Sequence, residues 1–169
     1  MLTFTAAVVL LLITPGPGVL STAGVGAAFG RWQGILYVTG LFLGTNLVGL
    51  AVISGLSAAL FAVPFMRIIL MTATASYLGY LALRIALASS QIAFSDAKDQ
   101  PGILDGIMLQ LINPKAYAVN TTLFSGFAFI PEHFITETFV KLIILNSIWI
   151  PVHLLWLYFG IRLHTLNLS

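Results

Sequence analysis

Cysteine is absent from this chain and charge nearly so: 7% of its 169 residues are Asp, Glu, Lys or Arg. Without cysteine there is no disulfide, no thiolate metal site and no thiol redox chemistry, so a membrane carrier of reducing equivalents working through a cysteine pair is excluded. The scarcity of charge excludes more. A soluble domain is about a quarter charged because its surface must face water, and a chain this poor in charge cannot cover such a surface. Its seven Lys and Arg, net charge +2, are too few and too scattered for a nucleic-acid footprint. His133, His153 and His164 are widely spaced with no paired carboxylate nearby, so no metal or other cofactor is expected. There is no Gly-x-Ser-x-Gly elbow, and no other constellation suggests an enzyme. The glycines at 24, 26 and 30 have the wrong spacing, and no preceding strand, for a dinucleotide loop.

What is present is apolar. Hydrophobic residues make up 59% of the chain, and the mean hydropathy is +1.04. Apolar runs of this length fit helices rather than barrel strands, which predicts an all-α integral membrane protein, a helix bundle in one membrane domain over 1–169. Leu2 to Ile13 reads as the start of the first membrane span rather than as a secretory leader: no basic residue stands before it, and apolar sequence continues past it without a cleavage site.

A span needs about twenty apolar residues, and five stretches qualify. The first is Leu2–Phe29, interrupted by Thr14-Pro15-Gly16-Pro17-Gly18, with a turn at Arg31, Trp32 and Gln33. The second is Ile35 to about Ala62, ending at Pro64, and the third is Met66 to Ala88. Ser89–Gly102, with Asp96, Lys98 and Asp99, is the polar connection between two halves. The fourth is Ile103–Ile130, interrupted by Asn113-Pro114-Lys115, followed by a turn with Glu132, His133 and Glu137. The fifth is about Thr138 to Tyr158. Arg31, Arg84, Lys98 and Arg162 would share one membrane face, and Arg67 and Lys141 the other, which favours a cytoplasmic first connection and an external N-terminus.

The matched interruptions are the most informative feature. About 12 residues precede the first and about 10 the second, which at 1.5 Å each puts both near the bilayer midplane. Thr and Asn are good N-caps, and proline suits the first position of a new helix. Each span should therefore stop at mid-membrane and restart, with Thr14-Pro15 and Asn113-Pro114 as the restarts. The free N–H groups there suit a carboxylate. Irregular backbone is tolerated at that depth only where it lines a cavity or is buried in protein. Breaks at corresponding places in two halves point to a transporter site at a repeat interface. A mere proline kink is the bland alternative. Lys115 beside the second break is expensive in a membrane and is read as functional, against the alternatives of snorkelling or a loop between two short segments.

These residues carry a resemblance. The chain resembles the LysE family, also called RhtB, of bacterial amino-acid exporters. Pro15-Gly16-Pro17 resembles a first-helix Pro-Gly-Pro-Asn motif, with Gly18 replacing Asn. Gly40, Gly44 and Gly55-Leu56 resemble a glycine-rich second helix; Tyr77-Leu78-Gly79-Tyr80-Leu81, with Arg84, a third-helix signature; and Asn113-Pro114-Lys115-Ala116 a fourth-helix motif in full. The resemblance implies six helices as inverted three-plus-three repeats, a location in the bacterial inner membrane, and export of amino acids or related metabolites driven by protons. Residues 1–88 would be the first repeat, 89–102 the connecting loop and 103–169 the second. About ten residues follow the fifth span, so the second repeat is expected to lack its last helix, and a fragment is favoured over a gap filled by an oligomer partner. Where family members often carry an acid or His, this chain has Thr45-Asn46 after Gly44, and no acid lies deep in a span; Asp105 is the nearest. That argues against a cationic substrate.

The expected function is thus a secondary exporter working by alternating access, with a truncated or accessory non-transporting protein as the alternative. Expected site residues are Thr14, Pro15, Gly16, Pro17, Asn113, Pro114 and Lys115 for a carboxylate, with Asn46 and Asn120 for an ammonium group. Expected partners are an amino-acid-like small molecule and lipid, with protons and a second copy of the chain as further candidates. Gly40 and Gly44 read as close-packing positions. Asn46, Asn146, Asn120, Thr121 and Thr122 are each pathway or interhelical glue, and His153 is a packing residue or a proton relay.

Overall fold

The structure, a computed structural model, describes residues 1–89 and 100–165, and side chains up to Leu87 and Leu163 around those limits. Asp96, Lys98 and Asp99 of the polar connection, the His164 side chain and residues 166–169 lie outside the described residues. All elements among the described residues are helices: α1 (Leu2–Ile13), α2 (Pro17–Ile53), α3 (Leu56–Ala62), α4 (Met66–Ser89), α5 (Ile103–Ile112), α6 (Pro114–Ser125) and α7 (Phe134–Thr165). Three of them, over Pro17–Ile53, Met66–Leu87 and Phe134–Leu163, are each long and apolar enough to cross a membrane. The first and fourth expected spans are instead divided, and α1 and α5 are too short to cross alone.

Proline decides where the chain restarts. A residue before proline is pushed out of the helical region, and Thr14 (ψ 117°), Gly16 (ψ −179°) and Asn113 (ψ 106°) all obey. Asn113 is the N-cap of α6, with Pro114 at its first position, as expected. The expectation for Thr14 is corrected. Thr14 ends α1 instead of capping the next helix, and the restart comes at Pro17 with Gly16 as an N-cap that has no side chain to offer. Pro17 disfavours a helical Gly16, which is extended, so the helix opens at Pro17 rather than Pro15.

At 37 residues α2 would run about 55 Å if straight, well beyond a hydrocarbon core of about 30 Å. Gly30, at φ 77° and ψ −169°, breaks it. The turn expected at Arg31–Gln33 is therefore this single glycine, and Arg31 to Gln33 are helical. A second glycine, Gly55 at φ 80°, ends the long helix at Ile53, short of the Ala62 expected. The α7 helix is longer than expected at both ends and runs through Pro151.

Close backbone approach assembles the core. A Cβ on Gly40 would collide with the Ile103 carbonyl, and one on Gly44 would lie 3.1 Å from Ile107 Cα. Gly106 returns the contact against the Tyr37 carbonyl. Small residues here let α2 and α5 touch backbone to backbone, the packing role expected of Gly40 and Gly44. Gly160 does the same for α7 against Ala23 of α2. One apolar cluster, with Tyr37, Leu41, Leu109, Trp149 and Leu157, joins α2, α5 and α7. Another, with Phe4, Val8, Leu123 and Leu145, joins α1, α6 and α7. On α4 the buried positions Leu70, Thr74 and Leu81 form a narrow strip, and most of the helix faces outward.

Two polar ties lock the ends. Asp105 accepts from Gly102 N (2.8 Å) and from Tyr77 Oη (3.0 Å) and lies 3.5 Å from Arg84, which fastens the Tyr77–Arg84 signature of α4 to the start of α5. Glu137 and Lys141 form a 2.7 Å ion pair within α7. Both are buried, at 7% and 3% exposure, where the sequence suggests charges near a membrane face. Glu137 accepts from Phe129 N (2.9 Å) and Ile130 N, while Lys141 donates to Phe124 O (3.2 Å) and Phe127 O. A buried pair is tolerable only when its remaining hydrogen-bonding capacity is met like this. The pair holds the segment after α6, whose Phe127 and Phe129 flank Phe4.

Candidate functional site

The two interruptions meet at one cavity. Its wall comes from the end of α1 (Leu11, Leu12, Thr14), the start of α2 (Gly16 to Val19), the facing turn at Thr45, and Gln110 of α5. Asn113, Lys115, Ala116, Val119 and Asn120 around α6, with Leu145, Trp149 and His153 of α7, complete it. The cavity measures about 60 Å³.

Polar groups converge at the α5–α6 break. Asn113 Oδ1 accepts from Lys115 N (3.0 Å), and Asn113 Nδ2 donates to Gln110 Oε1 (3.1 Å). Gln110 Nε2 in turn donates to Thr45 Oγ1, so α2, α5 and α6 share one buried chain of side-chain bonds. The carbonyls freed at the end of α5 are also answered: Thr74 Oγ1 lies 2.7 Å from Ile112 O, and Tyr117 Oη donates to Leu111 O (2.9 Å).

The first break is finished differently. Thr14 Oγ1 donates to Leu10 O (2.8 Å). The Thr14 carbonyl accepts from Lys115 Nζ at 2.5 Å, a bond that crosses from the fourth span to the first. Gly16 makes room for it, since a Cβ there would lie 2.7 Å from Lys115 Cδ and 2.9 Å from Nζ. Across the gap, the N–H groups of Gly18 and Val19 open α2 with no side-chain cap, and both residues line the cavity. A helix start of this kind leaves partial positive charge facing the space in front of it.

Of the expected site residues, the structure brings Thr14, Gly16, Pro17, Asn113, Lys115 and Asn120 onto the cavity wall. Pro15 and Pro114 belong to the two breaks but do not line it. Asn46 is elsewhere: its amide pairs reciprocally with Asn146 of α7, at 3.2 and 3.0 Å, and so acts as glue between α2 and α7. Asn120 is 2% exposed and donates to Ala116 O (2.9 Å), while its Oδ1 is buried with no donor. Thr121 and Thr122 are exposed, away from the cavity. Sequence reasoning missed Gln110, Thr45 and Trp149. Gln110 had a usable signal, as a lone amide one turn before Asn113 in an apolar helix. His153, weighed between packing and relay, stacks on Trp149 at 3.5 Å with its Nδ1 3.0 Å from Trp149 O, and also lines the cavity. No group of three or more potential metal ligands occurs among the described residues.

Broken helices that border a cavity and bring polar groups to its wall, within an apolar bundle, define a multi-pass helical membrane protein of the transporter class. The family is specific: the model of the LysE type translocator matches residues 9–167, and the chain belongs to that family, one of transporters rather than enzymes. No curated protein and no solved structure matches the chain.

Proposed function

We propose that this chain is a secondary exporter that moves amino acids or closely related small metabolites across a bacterial inner membrane by alternating access. In this reading it crosses the membrane five times, with the first and fourth passes broken at mid-depth and residues 1–88 and 103–169 forming the two repeats. The observation that carries it is the meeting of both interruptions at a single cavity, lined by Thr14, Gly16, Pro17, Asn113 and Lys115. The open N–H groups of Gly18 and Val19 suit the solute's carboxylate. Among the described residues no carboxylate lines the cavity and Lys115 supplies a cation, which supports a zwitterionic or anionic solute over a cationic one.

The test is release of a panel of amino acids from preloaded cells making this chain, with an Asn113→Ala variant of equal membrane abundance beside it. Selective release that the variant loses is the expected result. No release from cells that hold the intact protein in the membrane would favour an accessory, non-transporting role and overturn the proposal.

A further inference from the structure

The transport reading treats Lys115 as a cation near the solute, but the geometry gives it a prior engagement. Its Nζ is bonded to the last carbonyl before the first break, Thr14 O at 2.5 Å. A helix end carries partial negative charge, and the facing start of α2 carries partial positive charge. The Thr14–Pro17 interruption therefore offers two poles across one gap, the pattern that a zwitterion's ammonium and carboxylate would match. The positive pole has no side-chain cap. A primary ammonium from another helix already occupies the negative one.

We infer that Lys115 is an internal stand-in for the solute's ammonium group. Before a solute enters, it satisfies the end of α1. When a zwitterion enters, the solute's ammonium takes the Thr14 carbonyl, and the displaced Lys115 joins the α2 N-terminus in holding the carboxylate. An amine without a carboxylate cannot complete the exchange, because it would displace Lys115 and leave that cation unpaired in a low-dielectric space. A hydroxy acid completes it poorly, because its uncharged hydroxyl bonds the Thr14 carbonyl more weakly than the ammonium it would replace. Selectivity for solutes carrying both groups thus resides in one side chain. Gly16 belongs to the device, since its missing Cβ is the space through which Lys115 passes.

This inference rests on the transport reading, and its test separates the two. Purified protein in proteoliposomes would be tested for binding and exchange with two series of probes: L-alanine, ethylamine and L-lactate, and the larger L-leucine, isoamylamine and 2-hydroxyisocaproate. For the wild type the expected result is binding of at least one zwitterion and at most weak binding of its amine or its hydroxy acid. In Lys115→Gln, affinity for that zwitterion should fall about tenfold, the loss of one charge-assisted bond, while the matching amine gains by a similar factor. Gly16→Ala keeps the charge but crowds the lysine, so it should move both affinities the same way by less, and it carries the test if the lysine variant does not fold. Unchanged zwitterion affinity in both variants, or no gain for the amine in either, would overturn the exchange while leaving the exporter reading intact. A wild type that responds to none of the six probes would overturn the exporter reading and the exchange with it.

Discussion

The two interrupted spans stop at similar depth and use proline to restart, yet they are finished in opposite ways. At the α5–α6 break the partners are uncharged: Asn113 caps its own helix, while Thr74 and Tyr117 answer the carbonyls of Ile112 and Leu111. At the α1–α2 break there is no side-chain cap on the N–H side, and the Thr14 carbonyl is held by a lysine from the other break. The first kind of finish makes a rigid support. The second leaves polarity available, because a flexible charged side chain can leave and an uncapped helix start can accept a ligand. Two breaks that look alike in sequence are thereby assigned different work: the fourth span holds the geometry and lends Lys115, and the first offers its backbone poles.

The sharpest way to break this comparison is to remove the support. Asn113→Ala deletes the N-cap bond to Lys115 N and also leaves Gln110 Oε1 without its donor. A lost cap costs about 0.5–2 kcal/mol, and a buried unpaired acceptor about 1–3 kcal/mol. Solute release should drop by tenfold or more on the scale of about 1.4 kcal/mol per decade. Asn113→Ser keeps a capping oxygen and should recover part of that loss in the same release assay. Equal loss in both variants would mean that the cap is not what Asn113 contributes.

Next in size is Thr74→Val, which nearly preserves shape and removes only the hydroxyl facing Ile112 O. Thr74 also bonds Leu70 O on its own helix (2.8 Å), so part of its energy is local. The change should lower thermal stability in detergent by about 1 kcal/mol, the worth of one hydrogen bond, and slow release several-fold without changing which solute is chosen. A switch in solute preference would show that the α5 end of the fourth-span break, and not Lys115 alone, meets the ligand.

How much of this was legible beforehand depends on what each residue's neighbours in sequence could reveal. The Asn113-Pro114 restart was readable because cap and proline are adjacent, and the local rule is complete within two residues. The first restart lies two residues beyond the one expected although the same rules apply: Pro17 disfavours a helical Gly16, which moves the cap from Thr14 to Gly16. The long helix ends at Gly55, inside an apolar run that composition alone cannot divide. The burial of Glu137 and Lys141 was not legible, because its cause is the set of backbone groups from Phe124 to Ile130 that fold onto them. In the site, Lys115 was marked by the cost of a charge at that depth, but its partner, a backbone carbonyl a hundred residues away in the chain, left no trace in residue identity.

A smaller effect is expected outside the cavity, where Asn46 and Asn146 exchange amide bonds between α2 and α7. Interhelical bonds of this kind are worth about 0.6 kcal/mol on average. Asn46→Leu should therefore lower the melting temperature slightly and leave both the rate and the solute preference of release unchanged. A changed preference would place Asn46 on the solute path and break the division between cavity and glue.

The smallest effect should come from Thr14→Val, at the very break that offers its backbone poles. Its hydroxyl bonds only Leu10 O, which already accepts from the Thr14 backbone N–H at 3.3 Å. The atom that Lys115 holds is the Thr14 backbone carbonyl, which valine keeps. The extended conformation is imposed by Pro15, and a β-branched residue adopts it readily. Release by Thr14→Val should match the wild type within the error of the assay, even though Thr14 lines the cavity. A strong loss would mean that the hydroxyl itself meets the solute, and the first break would then be reading its ligand through a side chain as well as through its backbone poles.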